Sequence, residues 1–248
     1  WTDHPKTTPP SMKNAKNVDG PPENATPVHE KRQKRGRGRE NCGRAAEKCY
    51  LCSAMDRKEL EIMAPAGSFD CLLSAIEGGA DSVYFGIGHL NMRSHSANNF
   101  AREDLPEIMR ICRSYGVKAY MTLNITLYEE DLEAAYGTLD AAKAAGVDAV
   151  IATDMAAIQY CRKIGIEVHI STQLSISNTE ALKFYSRFAD VVVLARELNL
   201  TQVKNIHDAI VRENIRGPKG ELVRIEMFAH GAFCMAVSGK CYLSLAAY

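Results

Sequence analysis

The sequence predicts an α/β protein of the (β/α)8 TIM-barrel type, truncated after about seven strands and preceded by a disordered basic N-terminal tail. Three observations carry this prediction. From residue 58 onward, short apolar runs rich in Val, Ile and Tyr alternate with helical periods, the pattern of βαβ units feeding a parallel sheet. The chain's 248 residues, 46% of them hydrophobic, sit near the roughly 250 typical of one such barrel. The first strand runs into Ala64-Pro65-Ala66-Gly67, which lacks the glycine-rich phosphate turn that usually opens a doubly wound sheet.

The elements follow in order. Residues 1–57 are rich in Pro, Asn, Lys and Arg, show no apolar period, and contain Lys31, Arg32, Lys34, Arg35, Arg37 and Arg39 among glycines. Such a composition cannot offset the entropy of ordering, so this segment reads as disordered. It is either a non-specific RNA-binding arm or a solvated leader. Strands are expected near 60–64, 82–86, 118–123, 148–152, 167–171, 190–195 and 223–229, with six crossover helices between them. Ser68 is placed to cap the first helix and Gly78 to close it, while Gly116 closes the second. The third helix shows Leu132, Ala135, Tyr136, Leu139 and Ala142 at steps of three and four, ending at Gly146, a residue suited to a helix C-terminus. The chain stops soon after the seventh strand, so an eighth strand and helix are expected to be missing.

Charge balances overall, with 30 basic and 30 acidic residues. The tail carries a net +5 and the barrel segment a net −5. No run of about 18 apolar residues suggests a membrane span, and the N-terminus lacks the apolar centre of a signal peptide, so a cytoplasmic location is expected. Eight cysteines without a secretory context favour reduced thiols or metal ligands over disulfides. Cys42, Cys49 and Cys52 form a weak zinc-knuckle pattern in the tail, whereas Cys71, Cys112 and Cys161 fall on helices and are expected to face the sheet as small hydrophobes.

In a β/α barrel the reactive groups stand where strands end at their C-terminal side. That rule nominates Pro65 and Gly67 after the first strand, then Gly86, Gly88, Arg93 and Asn99 after the second, and Asn124 after the third. Asp154 follows the fourth strand, Ser171 and Gln173 the fifth, Arg196 and Glu197 the sixth, and His230 the seventh. Each has a structural alternative: Asp154 as a helix cap, Asn124 as a turn holder, Glu197 as a helix start, Arg196 with Glu197 as an ion pair. His169, inside a strand, reads as a hydrogen-bonded core residue. The segment from Glu226 to Ser244 contains Cys234 and Cys241 with six residues between them. Two thiols in a glycine-containing loop suit half of a zinc or iron–sulfur site, or are simply free.

Three stretches carry a family resemblance: Ala64-Pro65-Ala66-Gly67 with Gly79-Ala80-Asp81 through Gly86; Met92-Arg93 with Asn99-Phe100; and Glu226 to Ser244. Over residues 60–244 the chain resembles peptidase family U32, the collagenase-like peptidases that include RNA and quinone hydroxylation proteins. The last stretch matches the family signature closely, departing at Phe233 and over Leu245-Ala246-Ala247.

The resemblance implies that Cys234 and Cys241 are two of four ligands of a [4Fe–4S] cluster, with the other two beyond Tyr248. It further implies oxygen-independent hydroxylation of a transfer-RNA wobble uridine or a ribosomal-RNA cytidine, linked to prephenate. Arg93 and Arg196 are expected to clamp the carboxylates of prephenate, with Asn124, Asp154 and Gln173 binding substrate. Glu197, Glu226 and His230 are expected to move protons, and Tyr84, Phe85 or Phe228 to stack on a flipped base. RNA is the expected partner. Proteolysis of collagen-like substrates is the rival activity. It finds no His-Glu-x-x-His and no Gly-x-Ser-x-Gly here. The third reading is an accessory subunit that pairs with a homologous chain, or an inactive fragment.

Overall fold

In the computed structural model, residues 60–92, 99–231 and 236–237 are described. Seven strands and six α-helices alternate: β1 Met63–Pro65, α1 Phe69–Glu77, β2 Ser82–Gly86, α2 Leu105–Tyr115, β3 Lys118–Leu123, α3 Leu132–Ala145, β4 Ala149–Ala152, α4 Met155–Ile164, β5 Glu167–Ile170, α5 Thr179–Tyr185, β6 Val191–Val193, α6 Leu200–Arg212 and β7 Arg224–Glu226. The strands form one sheet in the order β1 to β7, every pair parallel. A doubly wound sheet reverses its strand order at a switch point. The strictly sequential order has no reversal and is the β/α-barrel arrangement predicted.

Alternation along each strand builds two layers. Val83, Phe85, Ala119, Met121, Leu123, Val150, Ala152, Val168, Ile170 and Val192 pack into the large core shared with the helices. Their neighbours in sequence, Tyr120, Ala149 and Ile151, cluster with Met63 and Tyr84 on the opposite, interior face. The helices obey the predicted periods. Ala135, Leu139 and Ala142 of α3 are fully buried, and Tyr136 stacks on Tyr160 of α4 with ring centroids 4.2 Å apart. Ser68 caps α1 through its hydroxyl, which accepts from Cys71 N at 3.2 Å. Gly116 and Gly146 end α2 and α3 at φ 65° and 80°, the left-handed region where a side chain would be strained.

Two boundaries differ from the predicted ones by three residues, and the others by two or fewer. Leu60 and Ile62 are exposed, and β1 starts only at Met63, Ile62 N being bonded to the Asp81 side chain and not to a neighbouring strand's backbone. Met227 and Phe228 are likewise exposed and leave the sheet after Glu226. Cys112 and Cys161 are buried as predicted, but Cys71 is exposed, which corrects its assignment to the sheet-facing side. Burial pushes the Cys112 thiol up to about 11 and that of Cys161 to about 12. These two are inert packing groups, not nucleophiles. Among the described residues no helix is long and apolar enough to cross a membrane. Residues 1–57, with Cys42, Cys49 and Cys52, lie outside the described residues.

Candidate active site at the C-terminal ends of the strands

Hydrogen bonds join the loops after successive strands into a continuous rim. Asn124, just past β3, accepts from Met92 N at 3.3 Å, fixing the loop after β2. Asp154, just past β4, accepts from Leu127 N at 3.2 Å and from Ala156 N at 2.8 Å. Thr153 donates to Gln173 Oε1 at 2.8 Å, which ties the β4 and β5 ends together. Thr172 donates to Leu194 O at 3.0 Å, reaching β6.

A cavity of about 80 Å³ opens where the first three loops meet. Pro65, Gly67, Gly86, Asn91, Asn99, Thr122 and Asn124 line it, so of the positions named from the first three strands Pro65, Gly67, Gly86, Asn99 and Asn124 converge, while Gly88 stands outside the lining. Gly86 is required by packing. A Cβ there would lie 2.5 Å from the Asn91 carboxamide, and Asn91 is 2% exposed.

The other nominated residues are spread along the same rim. Gln173 is buried and takes the hydrogen bond from Thr153. Arg196 is exposed, with its guanidinium 4.1 Å from the Phe228 ring centroid. Glu197 and His230 are exposed at the ends of their loops. Of the three aromatic residues considered for stacking, Phe85 is buried against Phe100, Tyr84 belongs to the interior cluster, and Phe228 presents open ring area. Arg93, Cys234 and Cys241 lie outside the described residues. Asp154 caps α4 with one carboxylate oxygen and holds the neighbouring loop with the other. Asp154→Ala is therefore expected to cost about 1–2 kcal/mol in urea denaturation. Unchanged stability with lost activity would instead make Asp154 a substrate ligand.

The interior face carries a charged cluster that runs from below the rim up to Glu226, and among its members only Glu226 is a candidate site residue from the sequence. Glu167 accepts from Arg224 at 2.6 Å and from Lys219. Glu61 accepts from Tyr120 at 2.5 Å and from Lys118 at 2.7 Å. His169 lies between Glu167 at 3.4 Å and Glu226 at 3.6 Å. Contact with the His169 imidazole and the hydrogen bond from Lys219 outweigh burial and hold the Glu167 carboxyl down at about 2. Burial alone would raise the Glu61 carboxyl, but hydrogen bonds from Lys118 and Tyr120 leave it below its ordinary value. One signal did exist in the sequence. Glu167, His169 and Ser171 repeat with period two in the expected strand 167–171, where a continuous apolar run is usual.

Comparison with known proteins agrees with the signature. The model of peptidase family U32 matches residues 67–248. A protein of Porphyromonas gingivalis named collagenase is 64% identical over 191 residues, covering 77% of this chain and 46% of that protein. The tRNA hydroxylation protein P1 of Bacillus subtilis is 36% identical over 190 residues, covering 75% and 42%. The 23S rRNA 5-hydroxycytidine C2501 synthase of Escherichia coli is 37% identical over 186 residues, covering 75% and 26%. The chain thus spans less than half the length of these relatives. A solved U32 peptidase superposes with a TM-score of 0.53 at 15% identity, over 67% of this chain and 66% of the other, and so shares the fold. With sequential parallel strands, the rim they build and the match from Gly67 to Tyr248, the chain belongs to peptidase family U32.

Proposed function

We propose that this chain carries the barrel of an RNA hydroxylation protein, acting on a pyrimidine of transfer or ribosomal RNA. The observation that carries the reading is the polar character of the rim: Asn91, Asn99 and Asn124 around one cavity, with Gln173 and the Arg196–Phe228 pair further along. Carboxamides suit the edge of a uracil or cytosine, Asn99 and Asn124 being the partly exposed ones here, and an arginine over an aromatic ring offers a stacking plane. Relatives from two organisms named for RNA hydroxylation support it.

Hydroxylation replaces a ring C–H by C–OH, a two-electron oxidation that requires an oxygen donor and an acceptor for the two electrons and the protons released. Prephenate is proposed as that donor, and Arg196 as one of the groups that hold its carboxylates, with Arg93. Glu226, at the end of β7, is placed to accept or return a proton, and Glu197 and His230 stand on neighbouring loop ends. Cys234 and Cys241 supply two of the four thiolates that a [4Fe–4S] cluster takes. Among the described residues there is no group of three or more metal-ligating side chains, and Cys234 and Cys241 lie outside them. A bound cluster would supply electron transfer.

A second reading, peptide hydrolysis, is favoured by the name of the 64% identical relative. One experiment separates the two. In cells that lack the full-length gene, mass spectrometry of digested transfer and ribosomal RNA is expected to show loss of a hydroxylated pyrimidine, restored by the wild-type gene. An unchanged nucleoside profile, together with gelatin cleavage by the purified full-length protein, would establish the peptidase reading instead.

A further inference from the structure

His169 lies on β5 with its side chain 4% exposed. Both of its ring nitrogens face carboxylates, Nε2 toward Glu167 Oε1 at 3.4 Å and Nδ1 toward Glu226 Oε2 at 3.6 Å. Neither nitrogen completes a hydrogen bond to a described atom, so these are ion-pair contacts with loose geometry. A neutral imidazole has one N–H and one lone pair, and the lone pair would then point at a carboxylate. The imidazolium, with two N–H groups, is the form that matches two acceptors.

The surroundings sharpen this. Tyr120 of β3 covers one side of the ring at 4.7 Å. Ile151 of β4 and Val191 of β6, the register partners of His169, bring no charge. Glu167 is already neutralised by Arg224 and Lys219. Glu61 and Lys118 pair with each other at 2.7 Å beyond Tyr120. Glu226, by contrast, finds its ion pair in His169.

We propose that His169 is a positioning residue, a buried imidazolium that ties Glu226 of β7 to Glu167 of β5 and so sets the Glu226 carboxylate at the rim. Burial alone would lower the imidazole's pKa, but the two carboxylates outweigh it and raise it above the ordinary value. The use made of Glu226 rests on the hydroxylase reading, whereas the charge of His169 and its coupling to Glu226 do not.

The test is a pH titration of the full-length protein labelled with 15N-histidine, the His169 signal being assigned by its loss in His169→Gln. Doubly protonated nitrogens at neutral pH are expected. Glu226→Gln, a change at a partly exposed position, is expected to lower the titration midpoint by about 1–3 pH units, the usual effect of removing an opposite charge at this range. A neutral ring at pH 7, or a midpoint unmoved by Glu226→Gln, overturns the proposal whatever the enzyme does. In cells, His169→Gln at wild-type protein level is expected to cut the hydroxylated nucleoside at least severalfold, and full restoration would overturn the positioning role. If the wild-type gene restores no nucleoside, the hydroxylase reading fails and the titration alone decides.

Discussion

Glu167→Gln is expected to destabilise the protein by about 1–3 kcal/mol in chemical denaturation, because it leaves the buried His169 and the half-exposed Arg224 and Lys219 without their shared counter-charge. Arg224, Lys219 and His169 all converge on this carboxylate, which is 16% exposed. The pH dependence has a definite sign. The folded carboxyl titrates at about 2 against an ordinary 4.5, so its stabilisation is full above about pH 4.5 and disappears as pH falls toward 2. Glu167→Gln removes that acid limb and flattens the stability curve between those values. His169 contributes with the opposite sign. Its raised pKa gives stabilisation that is complete below the ordinary value of 6.5 and is lost as pH climbs through the folded value. A loss below about 1 kcal/mol for Glu167→Gln would mean that water screens the cluster as it does a surface pair.

Gly86→Ala is expected to lower stability by about 1–3 kcal/mol, the cost of overpacking a filled site, and, on the hydroxylase reading proposed above, to reduce the modified nucleoside by about tenfold or more. The new methyl would meet the carboxamide nitrogen, carbon and oxygen of Asn91 at 2.5, 2.6 and 2.9 Å. Asn91 is nearly enclosed, and its side chain donates to Gly88 O at 3.2 Å, so it cannot swing clear. Its displacement would carry Met92, and with it the hydrogen bond to Asn124, out of the cavity wall. Urea denaturation and nucleoside mass spectrometry read the two effects separately. Wild-type levels of modified nucleoside would remove this cavity from the substrate path.

The strands were legible because Val and Ile runs such as Val191 to Val193 are buried on both faces in a parallel sheet and admit no other reading. The rim was legible through one geometric rule about strand ends, which located Asn124 and Arg196 without any contact information. Of the interior charges, Glu226 alone was singled out. Tyr120 and Glu61 are 59 positions apart and Arg224 and Glu167 are 57 apart, so their meeting depends on sheet register, which composition does not encode. His169 was expected to be a hydrogen-bonded core residue; it is buried, but its partners are charges. Cys71 was misplaced because a helix turns by about 100° per residue, so a single turn decides whether a thiol meets the sheet or water.

The unbroken order β1 to β7 also bears on how the molecule assembles. Every strand pairs with the one made just before it, so each new pairing closes a loop no longer than one βα unit, and the entropy lost per step stays small. On a ribosome delivering the N-terminus first, each emerging strand meets a template edge that already exists. Assembly can therefore keep pace with synthesis, and the edge left open at any moment is the one the next few dozen residues will cover.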